Sequence, residues 1–473
     1  MNNSRTYILV TITIFVGLFI PSLVQEGMFL DGVTYSAISK NLAFGYGSFS
    51  APHYTETLYP VFHEHPPLVF YLQSWFFKLF GDAFYTERIF CLLIALLSAI
   101  GIVLNWKLLA DNPKMKSAYW IPIIFWLSIP LVSWSYKNNL LENTMGVFSI
   151  YAVFFILKSL KESKVIFTLL GAILIVLAFF SKGVVGLFPL VAPLIFGITY
   201  NERKKSALYF LFLLLFSSAI SLLLVSVFPE IKINLVKYFN QQFIPSLSKA
   251  REITTNNRFK IIFDLTLNLA IPIILSVFFA IKKWKGKTQK KLPYKKSFLF
   301  FILIAISASI PLIISLKQRK FYLIPSIPFY ALSFSYLLYR PIKDQIDRIP
   351  IYILQWLNRV SIIVLAFVII FSTVKFGDFS RDEETIKDIY KISKHIPKGT
   401  VISTTEDLWS DWGLVAYMSR IGSLSLDCDN KHEYFLLRKE AVLVSPNGYD
   451  SVNLKLENYV LLKRTRVNNL SGL

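Results

Sequence analysis

The sequence predicts a mainly α-helical protein that crosses a membrane many times and ends in a small α/β domain. Of its 473 residues, 54% are hydrophobic and only 17% are charged, and the mean hydropathy is +0.53. Ordinary soluble domains have more charge and less apolar character. From residue 376 onward the composition changes to charged and mixed segments. The two compositions predict a membrane domain over residues 1–375 and a separate domain over residues 376–473.

Uncharged apolar windows predict about eleven transmembrane helices, because a bilayer core is crossed by about 20 apolar residues. The windows are residues 7–24, 89–106, 118–134, 144–157, 165–180, 183–200, 207–228, 265–281, 297–316, 321–339 and 360–374. The fourth and the last are short, so flanking residues must complete them. Glu142 and Arg359 then fall at membrane faces, where charged side chains reach water.

The net charge of +21 is a topology signal and does not indicate nucleic-acid binding. The first 375 residues hold 37 basic and 15 acidic residues, whereas the rest hold 13 and 14. The surplus lies in every second loop, and the loop 282–296 alone holds eight lysines and no acid. Cytoplasmic loops of membrane proteins carry such an excess. We therefore expect a multi-pass membrane protein with a cytoplasmic N-terminus and an extracytoplasmic C-terminal domain.

A polar loop of residues 26–82 follows the first span and is expected on the extracytoplasmic side. Apolar residues at helical spacing predict a helix over 31–44, and a second apolar stretch, 66–80, is too short to span. Both are expected to lie in the membrane interface. The sequence Gly45-Tyr46-Gly47-Ser48 predicts a turn between them.

The C-terminal domain is predicted as a small α/β domain without a recognisable catalytic motif. Helices are expected at 382–396 and 409–418, and strands at 400–404, 441–445 and 459–462. Only two cysteines are present, Cys91 and Cys428, so no disulfide framework is expected.

Seven charged residues fall at or near the predicted outer ends of spans. They are Asp31, Arg88, Glu142, Lys182, Asp264, Arg319 and Lys320. A single charge at a helix end is most often a membrane anchor. The cations Lys182, Arg319 and Lys320 nevertheless oppose the charge bias, because outer loops are poor in Lys and Arg. Cations at this level suit a phosphate or an anionic lipid headgroup.

A carboxylate together with these cations suggests sugar transfer from a polyprenyl phosphate. A leaving phosphate needs cationic stabilisation but no proton donor, since its second pKa is about 6. An acceptor hydroxyl is a poor nucleophile and needs a positioned base. One acid and two or three Lys or Arg side chains suffice for a single inverting displacement.

Residues 1–340 resemble, in order, the polyprenyl-phosphate-dependent C-type glycosyltransferases, especially bacterial relatives of protein O-mannosyltransferases and of the lipid A aminoarabinose transferase. The matching features are Asp31 with Tyr35 and Gly45, His65-Pro66-Pro67-Leu68, Phe80-Gly81, Glu87-Arg88, Glu142, Phe180-Ser181-Lys182-Gly183 and Arg319-Lys320-Phe321-Tyr322-Leu323-Ile324-Pro325. The resemblance implies that Asp31 is the catalytic acid. Two positions depart from the pattern: Gly32 stands where many relatives have a second acid, and Glu142 where many have Asp.

The predicted function is therefore transfer of a sugar from a polyprenyl-phosphate donor to a lipid, glycan or protein acceptor on the extracytoplasmic face. Lys182, Arg319 and Lys320 are the expected phosphate contacts, and Arg88, Glu142 and Tyr322 are expected to support them. The alternative is a transporter or flippase of an anionic lipid-linked solute. That alternative needs polar residues near mid-membrane, and the predicted spans have almost none.

A divalent metal ion is a further possible cofactor. His53, His63 and His65 lie close together in the sequence beside Glu64, and His and Glu are good ligands for divalent ions. Their spacing fits no standard metal site, so hydrogen bonding within the loop or contact with substrate is the competing interpretation.

Overall fold

A computed structural model describes residues 3–247, 254–285, 294–429, 431–444 and 446–465. The chain divides into two compact units. The helical unit comprises residues 1–24, 64–69 and 88–376, and the mixed unit comprises residues 25–63, 70–87 and 377–473. Most of the first polar loop thus belongs to one unit with the C-terminal segment, whereas the sequence analysis grouped it with the membrane helices. Residues 286–293 of the lysine-rich loop lie outside the described residues.

The α-helices are numbered in chain order. They are α1 (Asn3–Leu23), α2 (Leu30–Ala43), α3 (Leu68–Phe80), α4 (Thr86–Leu109), α5 (Pro113–Ser117), α6 (Trp120–Leu127), α7 (Pro130–Lys137), α8 (Leu141–Glu162), α9 (Val165–Lys182), α10 (Ala192–Tyr200), α11 (Arg203–Val227), α12 (Pro229–Tyr238), α13 (Ile244–Leu247), α14 (Lys260–Asn268), α15 (Ala270–Lys285), α16 (Lys295–Ser309), α17 (Ile327–Ile346), α18 (Ile351–Val374), α19 (Glu383–His395), α20 (Glu406–Trp409) and α21 (Trp412–Tyr417). Further 3₁₀ helices cover Val184–Val191, Ile310–Ile314, Lys320–Ser326 and Lys439–Val444, and π-helical turns cover Phe239–Phe243 and Met418–Gly422.

Among the described residues, eight helices are long and apolar enough to cross a membrane, or ten if two bent pairs each count as one span. The bends are 78° between Pro113–Leu127 and Pro130–Lys137, and 67° between Lys260–Asn268 and Ala270–Lys282. Pro130, which lacks an amide N–H, opens the second half of the first pair. The predicted span 183–200 is a shorter, broken element, because its first half is 3₁₀ helix containing Pro189. By length and composition, eight to ten spans are thus found in the described residues, where the sequence predicts about eleven.

In the helical unit, α8 packs mainly against α9, and α17 packs against α16 and α6. Ser163, in a left-handed conformation with φ 56°, closes the α8–α9 connection. Gly171 of α9 lets these two helices approach, since an added Cβ would lie 3.0 Å from Ile156. By contrast, only 6% and 11% of the apolar windows of α11 and α18 are buried, so these helices offer apolar surface to lipid.

The mixed unit contains a five-stranded sheet in the order β2-β1-β3-β5-β4. The strands are β1 (Val401–Thr404), β2 (Ser425–Asp427), β3 (Tyr434–Arg438), β4 (Tyr449–Val452) and β5 (Tyr459–Arg464). β1 pairs in parallel with β2 and β3, and β5 pairs antiparallel with β3 and β4. Phe435, Leu437 and Leu462 form a buried cluster on the sheet.

The predictions for residues 376–473 are mostly confirmed. The helix expected at 382–396 is α19, and the strands expected at 400–404 and 459–462 are β1 and β5. The helix expected at 409–418 is interrupted, because Asp411 caps the start of α21 through two 3.1 Å hydrogen bonds. The strand expected at 441–445 is wrong: residues 441–444 form 3₁₀ helix, residue 445 lies outside the described residues, and β3 precedes them. Cys91 and Cys428 are both free.

The two helices expected in the first loop are present but differ in burial. Residues 32–41 of α2 are all buried, so this helix is a core element of the mixed unit and does not present an apolar face to a membrane. α3 does present such a face, because Tyr71, Trp75 and Leu79 recur every four residues and are exposed. Gly45 and Gly47 adopt φ of 89° and 81° in the predicted turn, a conformation that favours glycine.

Candidate active site

Asp31 lies in the first turn of α2, and its side chain is half-buried. A carboxylate at this position is stabilised by the unpaired amides of a helix N-terminus. The main chain there is ordered by hydrogen bonds from the amides of Gly32 and Val33 to the carbonyl oxygen of Phe29, at 2.9 and 3.2 Å. Asp31 is thus carried on a helix whose start is well defined.

The C-terminal segment fixes both ends of this helix. The Tyr417 hydroxyl lies 3.1 Å from both the main-chain nitrogen and the oxygen of Met28, three residues before Asp31. At the other end, the Lys40 ammonium donates to the carbonyl oxygens of Ser419 and Arg420 at 3.0 and 2.6 Å, and to the Ser423 hydroxyl at 2.9 Å. Burial lowers the pKa of Lys40 to about 7, against an opposing effect of Asp82. The C-terminal segment therefore binds the chain near both ends of α2.

Arg420 is the centre of a buried ion cluster in the mixed unit. Its guanidinium donates to both carboxylate oxygens of Glu87, at 3.2 and 2.8 Å, and to Asp82 at 2.6 Å. It also lies over the Phe77 ring, 4.8 Å from the centroid. Burial alone would lower the pKa of Arg420, but the two carboxylates raise it, so the cation is held charged. Such bidentate geometry is among the strongest that proteins use.

Lys182 and Glu142 form a buried ion pair in the helical unit. The Lys182 ammonium lies 2.7 Å from Glu142 Oε1, and the two side chains are 8% and 2% exposed. Glu142 lies in the first turn of α8, and Lys182 is the last residue of α9. Both positions favour the charge they hold, because helix N-termini attract anions and C-termini attract cations.

Aromatic rings surround this pair. The Lys182 ammonium lies 5.3 Å from the centroid of the Tyr322 ring and 6.0 Å from that of Phe321. Phe321 stacks on Trp134 at 6.0 Å, and the Lys320 ammonium lies 5.4 Å from the Trp134 ring. These distances are within the range of cation–π attraction. The structure therefore brings together the predicted residues Glu142, Lys182, Lys320 and Tyr322.

The residue after Lys182 must be glycine. Gly183 has φ 89°, and a Cβ added there would overlap the Tyr238 hydroxyl. The missing side chain thus allows α12 to approach the end of α9 closely.

The other predicted cations lie at different places in the helical unit. Arg319 is exposed and precedes the 3₁₀ helix Lys320–Ser326. Its neighbour Gln318 is buried and donates to the carbonyl oxygens of Arg258 and Ser315 at 2.7 and 3.0 Å, which fixes the segment carrying Arg319. Arg88 is 3% exposed and donates to the Lys137 carbonyl oxygen, so it links α4 to the end of α7.

The histidines give no support for a metal site. No group of three or more His, Cys, Asp or Glu side chains is placed to hold a metal ion within the described parts of the chain. The His53 ring lies 3.0 Å from the Pro60 carbonyl oxygen through Nδ1 and 3.7 Å from Glu56 through Nε2. His53 therefore takes part in loop hydrogen bonding, and the structure does not bring it together with His63 and His65 as a metal cluster.

Sequence reasoning missed several residues that shape these regions. Trp134, Tyr238, Lys40 and Arg420 were not predicted, although all four make the specific contacts described above. Trp134 and Tyr238 lie within or beside apolar stretches, where aromatic residues are common and carry no distinct signal. Lys40 and Arg420 could have been found from one feature of the sequence. A charged side chain among apolar residues needs a partner if it is buried.

Comparisons with known proteins show which proteins this chain resembles. Residues 64–228 match the family of dolichyl-phosphate-mannose-protein mannosyltransferases. No curated protein sequence matches the chain significantly.

Solved structures resemble the whole chain. ArnT from Cupriavidus metallidurans bound to undecaprenyl phosphate is similar with a TM-score of 0.68 at 14% identity, covering 100% of both chains. The apo state of ArnT gives 0.64 at 15% identity, over 96% of this chain and 97% of ArnT. The oligosaccharyltransferase of Archaeoglobus fulgidus in complex with Zn and sulfate gives 0.50 at 11%, over 91% of this chain and 68% of that one. Together with the family match, these likenesses confirm the predicted resemblance to polyprenyl-phosphate-dependent C-type glycosyltransferases, and the protein is a multi-pass membrane protein with their fold.

Proposed function

We propose that this protein transfers a sugar from a polyprenyl-phosphate-linked donor to a hydroxyl of a lipid, glycan or protein acceptor on the extracytoplasmic face of the membrane. The observation that carries the proposal is the Lys182–Glu142 pair, buried among aromatic rings at the ends of two membrane helices. A buried cation at that depth is costly unless it has a function or a partner.

Lys182 is proposed to contact the donor phosphate. An ammonium has three N–H donors, and the contact with Glu142 occupies one of them. Glu142 would hold the ammonium in place before the donor binds. Lys320 and Arg319, which are exposed on the adjoining segment, are proposed to supply further charge to the phosphate. This charge stabilises the leaving group as the bond to the sugar breaks.

Asp31 is proposed to be the general base. The acceptor oxygen attacks the anomeric carbon of the sugar, its proton passes to the Asp31 carboxylate, and the bond from that carbon to the phosphate oxygen breaks. The electron pair of that bond remains on the phosphate. With one base and no covalent intermediate, the displacement inverts the configuration at the anomeric carbon.

Replacement of Asp31 by Asn tests the mechanism, because Asn keeps the shape but cannot accept the proton. We expect sugar transfer by purified protein with a polyprenyl-phosphate donor to fall by about 10²–10⁴-fold. Donor binding, measured on the same sample, should remain within about threefold of the wild-type value, a factor that corresponds to well under 1 kcal/mol. A variant that keeps more than about a tenth of the wild-type rate excludes Asp31 as the base.

A vesicle assay with a labelled polyprenyl-phosphate donor separates the enzyme from the alternative flippase. A flippase moves the labelled donor across a vesicle membrane without cleaving it. Donor that crosses the membrane intact, with no sugar transferred to any acceptor fraction of a membrane extract, would overturn the proposed function.

A further inference from the structure

A cavity with a partly polar lining lies in the helical unit, where the ends of five helices meet. Its volume is about 360 Å³. The lining includes Asp111 after α4, Lys161 near the end of α8, Tyr200 at the end of α10, Lys205 near the start of α11 and Lys296 near the start of α16. The volume is within the range of small-molecule sites.

This cavity is distinct from the proposed donor site. Glu142 and Lys161 lie near opposite ends of α8, 19 residues apart, which corresponds to about 28 Å along a helix that rises 1.5 Å per residue. The cavity lies at the face where the basic loops are, and the Glu142–Lys182 pair lies at the other end of the same helix. Ligand binding in this cavity is therefore independent of the proposed sugar transfer.

Three ammonium groups from three different helices converge on the cavity. The Lys161 ammonium is fixed by a 2.6 Å hydrogen bond to the Leu108 carbonyl oxygen. The Lys296 ammonium lies 5.7 Å from the centroid of the Tyr200 ring, and the hydroxyl of the same tyrosine lies 3.1 Å from the Ser297 hydroxyl. Lys161 and Lys296 are thus each oriented by a neighbour, and both residues are exposed, so a ligand can reach them.

The carboxylates in the cavity only partly offset this charge. Glu202 is paired with Lys205 at 3.5 Å. That pair leaves Lys161 and Lys296 facing the single carboxylate of Asp111. Arg203 and Lys204 add positive charge to an adjoining open hollow formed by residues 201–205. The local field therefore favours an anion.

We propose that this cavity binds a phosphate group, held by Lys161 and Lys296 and by the hydroxyls of Tyr200 and Ser297. Ammonium and hydroxyl donors at the end of membrane helices suit a phosphate diester or monoester. The cavity is larger than one phosphate, so part of the molecule that carries the phosphate enters with it. Two sources have this chemistry, the headgroup of an anionic phospholipid and a soluble phosphate compound.

Lipid binding to the full-length protein in detergent tests the proposal. The probes are phosphatidylglycerol, with phosphatidylcholine as the zwitterionic comparison, and inorganic pyrophosphate as the soluble anion. The test variant is Lys161→Gln/Lys296→Gln. The matched control is Lys158→Gln/Lys295→Gln, which removes the same charge from the same two helices at lysines outside the lining.

We expect the test variant to lose anion affinity by about tenfold or more, because two charged contacts are removed, and the control to lose much less. Retention of phosphatidylglycerol alone by native mass spectrometry identifies a lipid headgroup as the source. Binding of pyrophosphate, or displacement of the lipid by it, identifies a soluble phosphate. Equal losses in both variants, or no preference of the wild-type protein for either anion over phosphatidylcholine, would overturn the proposal. Unchanged thermal unfolding of both variants verifies that folding is intact.

Discussion

At the scale of single residues, the buried pair of Lys182 and Glu142 has both a structural and a proposed functional role. Two buried opposite charges stabilise each other, but removing one leaves the other uncompensated, which costs about 3–5 kcal/mol. A single Lys182→Ala substitution therefore affects both folding and donor binding, and its loss of activity has two possible causes. The neutral double variant separates the two, because it leaves no unpaired charge.

We expect Lys182→Met to lower the unfolding temperature and Lys182→Met/Glu142→Gln to recover most of it. Donor affinity should remain about tenfold or more below wild type in both variants, since the contact to phosphate is missing. The measurements are thermal unfolding and a donor-binding titration on each variant. A double variant that folds and binds donor as tightly as wild type would make the pair purely structural.

The lowered pKa of Lys40 predicts that the stability of the folded protein depends on pH. Burial lowers this pKa from 10.5 to about 7 in the folded protein. Between these values the unfolded chain binds a proton that the folded chain does not, so stability rises with pH across this window. Below about pH 7 both states are protonated, so stability no longer changes with pH through Lys40, and the cost of burying its charge is fully present.

We therefore expect the unfolding temperature of the wild-type protein, relative to Lys40→Met, to increase between pH 7 and pH 9. The comparison cancels the pH dependence of all other groups. A difference between the two proteins that stays constant across this range would show that the Lys40 amine keeps its ordinary pKa.

At the scale of elements, the C-terminal segment holds α2 near its ends, through Tyr417 with Met28 and through the turn at residues 419–423 with Lys40. Arg420, which lies in that turn, links it to Asp82 and Glu87 through ion pairs. Residues 82–87, the turn and α2 are therefore linked in one hydrogen-bonded assembly. We infer that the C-terminal segment orders the helix that carries Asp31.

Arg420→Met should destabilise the protein by about 3–5 kcal/mol, because two carboxylates lose their buried partner. The matched control is Arg438→Met. Arg438 also contacts two carboxylates, Asp407 and Asp411, but its side chain is 42% exposed, and surface pairs contribute about 0–1 kcal/mol. Thermal or denaturant unfolding of both variants provides the comparison. Similar losses would contradict a special role for the buried cluster.

Most elements could be predicted from the sequence, because periodicity and charge report local structure well. The long apolar helices and α19 are examples. The strand expected at 441–445 failed because its apolar run resembles a strand locally, whereas pairing with β1 and β5 selects 434–438 instead. The bend at Pro130 and the buried state of α2 likewise depend on tertiary contacts. For the candidate site, the cations could be predicted because Lys and Arg are unexpected in outer loops. The partner of each cation could not be predicted, because it lies on a different element of the fold.

At the scale of the whole molecule, charge is distributed according to the unit that carries it. The positive surplus lies in residues 1–375, in alternate loops that are expected at one membrane face, whereas residues 376–473 are almost neutral. The positive-inside rule assigns that face to the cytoplasm. The proposed orientation follows from this asymmetry alone, and the proposed extracytoplasmic reaction depends on it.

Cysteine labelling of intact cells tests the orientation. The background has Cys91 and Cys428 replaced by Ser, and single cysteines are introduced at Ser163, in the exposed basic connection between α8 and α9, and at Asn447, exposed before β4. A membrane-impermeant maleimide should label Asn447→Cys but should reach Ser163→Cys only after the cells are permeabilised. Labelling of both positions after permeabilisation verifies that each cysteine is reactive. The reverse pattern would place the basic loops outside and the mixed unit inside, and the phosphate-bearing donor would then have to be bound from the cytoplasm, against the proposed function.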